Sequence, residues 1–121
     1  MELEKMTFHG PARYADQQLT MAVRILAVGA GDVRSRLLDA YGQFHPLTPA
    51  HFPEHLRTDF EWILSQLNKY EPFKDAHGKV LRGSVQQTLM SIRSKTGVKI
   101  AERLLYVHEA LEKYVRTHNE S

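Results

Sequence analysis

Apolar residues in this chain recur at intervals of three and four, and that spacing restricts it to helices packed side by side. The clearest case is residues 53–68, where Leu56, Phe60, Ile63, Leu64 and Leu67 share one face of a 3.6-residue helix, with Trp62 at its edge. Residues 12–28 show the same period in Leu19, Ala22, Val23 and Leu26. Ile25 and Val28 widen that stripe, so this helix is expected to be central and contacted on two sides. Gly29-Ala30-Gly31-Asp32 breaks the pattern, and Asp32 is a good N-cap for a second helix over 33–44. Val33, Leu37, Tyr41 and Phe44 line one face of that helix, and Pro46 ends it.

Thr48-Pro49 pairs a capping residue with proline at a first helical position and opens a short turn before Pro53. Pro72, Asp75 and Gly78 punctuate residues 70–83, which predict a small hairpin centred on His77-Gly78. Ser84 then caps a helix carrying Val85, Leu89 and Ile92. The last helix spans 98–116, with Ala101, Leu104, His108, Leu111 and Val115 as a seam suited to packing along another helix. Residues 1–12, ending Phe8-His9-Gly10-Pro11, read as an irregular arm, and 13–118 as a single helical domain. The expected fold class is all-α: a single-domain bundle of about five helices with one irregular or hairpin-like loop. Its expected core is Leu19, Val23, Leu26, Leu37, Tyr41, Phe44, Leu56, Phe60, Ile63, Leu67, Leu89, Ile92, Leu104 and Leu111.

A chain of 121 residues, 42% apolar, has material for one core and hardly two. With no cysteine, disulfide scaffolds and thiolate metal sites are excluded. Met1-Glu2-Leu3-Glu4-Lys5 lacks the apolar stretch of a secretory signal. The longest apolar run, Met21 to Ala30, is interrupted by Arg24 and falls short of the roughly 18–20 residues that span a bilayer. These features predict a cytoplasmic protein with no membrane partner, and no cofactor or metal motif stands out.

Sixteen Lys and Arg oppose fourteen Asp and Glu, a mild net charge of +2. The excess is local. Between Ala76 and Ala101 lie Lys79, Arg82, Arg93, Lys95 and Lys99 and no carboxylate. The same stretch contains Arg93-Ser94-Lys95-Thr96-Gly97, which predicts a glycine turn joining the last two helices. A cationic corner of that kind suits an anion, and nucleic acid is the commonest large one. The string from Arg93 to Ile100 resembles the turn of bacterial helix-turn-helix regulators. On that reading Arg82, Arg93, Lys95, Lys99 and Arg103 contact phosphates, while Thr96 and the N–H groups after Gly97 supply neutral donors. The alternative is a solvated cationic surface, or an acidic protein partner meeting the same charges.

Arg103-Leu104-Leu105-Tyr106-Val107-His108 resembles the R-x4-H signature of HEPN ribonucleases, small helical bundles that commonly dimerise. The resemblance implies His108 as the proton carrier at a ribose 2′-hydroxyl or leaving oxygen, and Arg103 as the stabiliser of the charged phosphoryl state. A histidine on the apolar seam is equally a core residue. His51-Phe52-Pro53-Glu54-His55 resembles the H-x-x-E-H string of inverzincin metallopeptidases. Pro53 between the histidines puts His51 ahead of the helix and out of register with His55, so no zinc site is expected there.

The leading expectation is a non-enzymatic helical subunit that contacts nucleic-acid phosphates, alone, as a homo-oligomer or within a larger assembly. A HEPN-like ribonuclease using Arg103 and His108 is one alternative. A protein-interaction or antitoxin-like module using an exposed face of the first helix, near Ile25 and Val28, is another.

Overall fold

The computed structural model describes residues 2–119, with side chains from Gly10 to His118. Five helices carry the architecture: α1 (Glu2–Val28), α2 (Val33–Phe44), α3 (Glu54–Leu67), α4 (Ser84–Ser91) and α5 (Ser94–Asn119). A single 3-10 turn, Pro49–His51, precedes α3, and an antiparallel hairpin of β1 (Phe73–Lys74) and β2 (Val80–Arg82) separates α3 from α4. The all-α bundle with one hairpin-like loop is therefore as the apolar spacing requires.

The apolar faces close on one another around Leu19, Leu37, Phe44, Leu56, Phe60, Ile63, Leu67, Leu104 and Leu111, all fully buried. Phe60 is stacked on Phe52 at 4.3 Å between ring centres and meets Phe44 edge-on at 6.3 Å. Each such ring contributes about 2–3 kcal/mol by leaving water. Val23, Leu26 and Tyr41, expected in the core, are half-buried at its margin. Ala12, Ala15, Ala22 and Ala40 are fully enclosed instead. Their small side chains let α1 and α2 approach each other and their neighbours closely.

Three local expectations are corrected. α1 begins at Glu2, so the backbone of residues 2–12 is helical where an irregular arm was expected. Pro11 removes one helical hydrogen bond, which costs about 3 kcal/mol in an unsupported helix. Ala12 and Ala15, just beyond it, are enclosed by the bundle, and that packing offsets the break. At the other end of the chain α5 begins at Ser94, not Val98, and Gly97 lies inside it. A Cβ at Gly97 would lie 3.1 Å from both Val33 Cγ1 and Arg34 Cγ. The glycine makes room for the first turn of α2; it does not turn the chain. Finally, Gly83 is the N-cap of α4, and the Ser84 hydroxyl donates to the Tyr70 carbonyl at 2.7 Å. Buried Thr88 accepts from the Tyr70 N–H at 2.9 Å, so α4 holds both backbone groups of that residue.

The hairpin forms where the turn residues predict it. Asp75 Oδ1 accepts from the N–H groups of His77 at 2.8 Å and Lys79 at 2.9 Å. Gly78 takes a φ of +82°, a region open to glycine and strained for other residues.

Candidate functional site

Asp32 organises the cationic corner. It sits in extended conformation ahead of α2 and accepts from the Arg34 N–H at 2.9 Å and from Arg34 Nε at 2.8 Å. Its second oxygen accepts from the Ser94 hydroxyl at the start of α5. The hydroxyl of Ser94 and the two donors of Arg34 hold the Asp32 carboxyl well below the usual carboxylate range. Arg34 also donates to the Ile92 carbonyl at 2.8 Å, across the link between α4 and α5. One carboxylate thus ties the start of α2 to the first turn of α5, and one guanidinium ties it to the end of α4. No glycine turn joins the last two helices: Ile92-Arg93 links α4 to α5, and Gly97 lies inside α5.

The expected phosphate contacts divide into two groups. Arg93, Lys95 and Lys99 are exposed, and none has a carboxylate partner among the described residues. They occupy the α4–α5 link and the first two turns of α5. Arg82 is folded back: its guanidinium lies 4.6 Å from the Phe73 ring centre, and Nη1 is 3.6 Å from Met90 Sδ. Arg103 is engaged by α3, where Asp59 accepts from Nη1 at 3.1 Å and the Trp62 ring centre lies 4.5 Å away. The Thr96 and Gly97 N–H groups both donate to the Arg93 carbonyl, and those that follow belong to the helical ladder. They are not free donors for a phosphate.

Arg103 and His108 do not converge within one chain. Five positions on a helix rotate a side chain by roughly 140° relative to the first. Arg103 faces α3, while His108 Nε2 is 3.1 Å from Thr20 Oγ1 on α1. The histidines of the H-x-x-E-H string also part. His51 Nδ1 accepts from the Thr48 N–H at 3.0 Å, closing the 3-10 turn, and the His55 ring is 6.1 Å from that of Tyr114.

A polar cluster that no sequence motif announced lies along the outer seam of α1 and α5. These helices run antiparallel, with Thr20 against His108 and the groove residues Val23 and Ala27 near Leu105 and Ala101. One turn from Thr20, Asp16 Oδ1 is 3.9 Å from His108 Nε2, and Glu112 Oε2 is 3.9 Å from the same nitrogen. The Thr20 hydroxyl donates to the Asp16 carbonyl at 2.7 Å, so toward His108 its oxygen is the acceptor and Nε2 carries a proton. Asp16 Oδ1 and His108 Nδ1 are enclosed without a hydrogen-bond partner. Burial pushes the Asp16 carboxyl above its ordinary range. His108-x3-Glu112 is a legible same-face pair, but nothing in the sequence brings Asp16 to it.

Toward the start of α5 the seam becomes an apolar groove of about 290 Å³ lined by Val23, Leu26, Ala27, Val33, Val98 and Leu105. Ile25 packs against the core while Val28 is 75% exposed, so the face of α1 singled out for a protein partner is covered in part. No helix among the described residues is long and apolar enough to cross a membrane.

No protein-family model matches the chain, and no curated protein or solved structure matches it significantly.

Proposed function

We propose that this chain is a non-enzymatic helical binding module that meets the phosphates of a nucleic acid through Arg93, Lys95 and Lys99, alone or as a subunit of an assembly. The observation that supports this reading is the set of three exposed cations at the start of α5, none with an acidic partner among the described residues. Their neighbours Arg34 and Arg103 are ion-paired and Arg82 is folded onto Phe73, so the contact surface is smaller than the charge distribution alone suggests. Of the nearby carboxylates, Asp32 has its charge answered by Arg34 and Ser94 and repels an incoming phosphate less, while Glu102, three positions after Lys99, is exposed.

Three phosphate contacts give weak, sequence-tolerant binding driven by counterion release. Affinity then falls by roughly 20- to 40-fold between 50 and 200 mM salt, from a slope of about 0.7–0.9 per contact. The test is fluorescence anisotropy on mixed-sequence RNA and DNA at those two salt concentrations, with Lys95→Glu and Lys99→Glu as variants. Binding that neither the salt nor the charge reversals change would refute the proposal. Binding only to an acidic protein surface would refute the choice of nucleic acid while keeping the site.

A further inference from the structure

We infer that Asp16, His108 and Glu112 form a binding site for a divalent transition-metal ion of the zinc class. The three offer one imidazole nitrogen and two carboxylate oxygens, and these atoms all lie within 4.8 Å of one another. They come from two different helices, so an ion there would clamp α1 to α5. His108 and Glu112 are four apart on α5 and share a face, as two ligands supplied by one helix must.

The separations suit such an ion. With metal–ligand bonds of about 2.0–2.1 Å, tetrahedral ligands stand roughly 3.3 Å apart. The 3.9 Å distances from His108 Nε2 to each carboxylate therefore need to close by about 0.6 Å, and the Asp16 and Glu112 oxygens, within 4.8 Å of each other, by up to about 1.5 Å. Glu112, whose side chain is 51% exposed, has room to swing inward. Asp16 and His108 are 23% and 12% exposed and form a comparatively fixed base.

The Asp16 oxygen is the second, independent observation. Oδ1 has no hydrogen-bond partner and is closed off from solvent, yet it points toward the imidazole. A buried carboxylate oxygen without a donor is unfavourable, and a cation seated beside it removes that penalty. Mixed imidazole–carboxylate sets favour zinc-like ions over magnesium, which prefers octahedral oxygen coordination and retains its water. Coordination through Nε2 gives up its contact with Thr20 Oγ1 and moves the ring proton to Nδ1, which is enclosed without an acceptor, so the ion must outweigh both losses; the Thr20 hydroxyl keeps its bond to the Asp16 carbonyl. Three protein ligands leave a fourth position, on the solvent side of Glu112, for water or an exogenous group.

The test uses the full chain with Zn²⁺ in calorimetry and Co²⁺ as an absorption probe, beside Asp16→Asn, His108→Gln and Glu112→Gln. One ion per chain is expected, with a rise in melting temperature. Each substitution should weaken binding at least about tenfold, as loss of one of three ligands requires. Asp16→Asn separates ligand loss from misfolding. It removes a partly buried negative charge whose Oδ1 has no donor, so the metal-free variant should melt no lower than the wild type while losing the Zn²⁺-induced rise. His55→Ala, away from the cluster, should bind as the wild type does. Zn²⁺ should also shift the His108 Nε2 resonance in ¹⁵N spectra. No binding at micromolar Zn²⁺, or binding that survives Asp16→Asn and His108→Gln, would overturn the inference.

Discussion

Arg103 is the residue on which two sequence-level expectations, phosphate contact and ribonuclease chemistry, depend, and the structure gives it another task. Its guanidinium joins α5 to α3 through Asp59 at 3.1 Å and the Trp62 ring at 4.5 Å. A part-exposed ion pair contributes about 0.2–1 kcal/mol. The cation over the indole adds about 0.5–1 kcal/mol. Arg103→Ala also strips the aliphatic stem from the indole, so a loss of about 1–2 kcal/mol is expected. In a domain of this size that lowers the melting temperature by about 4–8 °C. Circular dichroism in heat and in urea reads the loss directly. A double-mutant cycle with Asp59→Ala should return a coupling of about 0.5 kcal/mol, since the pair is in contact. In the anisotropy assay Arg103→Ala should behave as wild type, whereas Lys95→Glu should not. A variant of unchanged stability that loses binding as Lys95→Glu does would refute this reasoning and return Arg103 to the ligand site.

Other substitutions test the corrected elements. Gly97→Val should destabilise by about 1–3 kcal/mol through overpacking against Val33 and Arg34; a turn glycine at an exposed corner would give no such clash, and urea midpoints decide. Leu104→Ala, at a fully buried position in α5, should lose about 2–5 kcal/mol in the same assay. Asp32 has a lowered folded pKa, so its contribution is complete above the unfolded value near 3.9 and disappears as pH falls through the folded value. The gap between wild type and Asp32→Asn, followed by thermal melting, should therefore be full at neutral pH and shrink only in strong acid. A gap that varies between pH 5 and 8 would contradict that assignment.

The helices themselves were legible because a helix that buries one face must repeat its apolar residues every three to four positions. The stripe from Leu56 to Leu67 fixed α3 almost to the residue. Asp32 announced the start of α2 because free N–H groups at a helix start need an acceptor nearby in sequence. The hairpin at His77-Gly78 followed from the same kind of local chemistry. Gly97 went astray because glycine has two uses, and the sequence displays only one residue. Whether it frees the backbone or makes space for Val33 and Arg34 depends on a neighbour more than sixty positions away. The phase of α5 was right at Leu104 and Leu111, which are fully buried, and off at the other seam positions for a similar reason. Its buried seam is Gly97, Ile100, Leu104, Val107 and Leu111, and Ala101 and His108 fall beside it, because α1, α2 and α3 share this helix.

By itself the sequence determined the fold class, the hairpin, the Asp32 cap and the concentration of cations between residues 76 and 101, since each depends on groups a few positions apart. Tertiary structure alone decided which cations remain free. Asp59 and Trp62 withdraw Arg103, and Phe73 and Met90 hold Arg82, while Arg93, Lys95 and Lys99 meet no such neighbour among the described residues. It also brought Asp16 to His108 and Glu112, through the antiparallel packing of the first and last helices. Electrostatic and ligating chemistry acts over a few ångströms of space, and chain distance measures that space only within a helical turn or two.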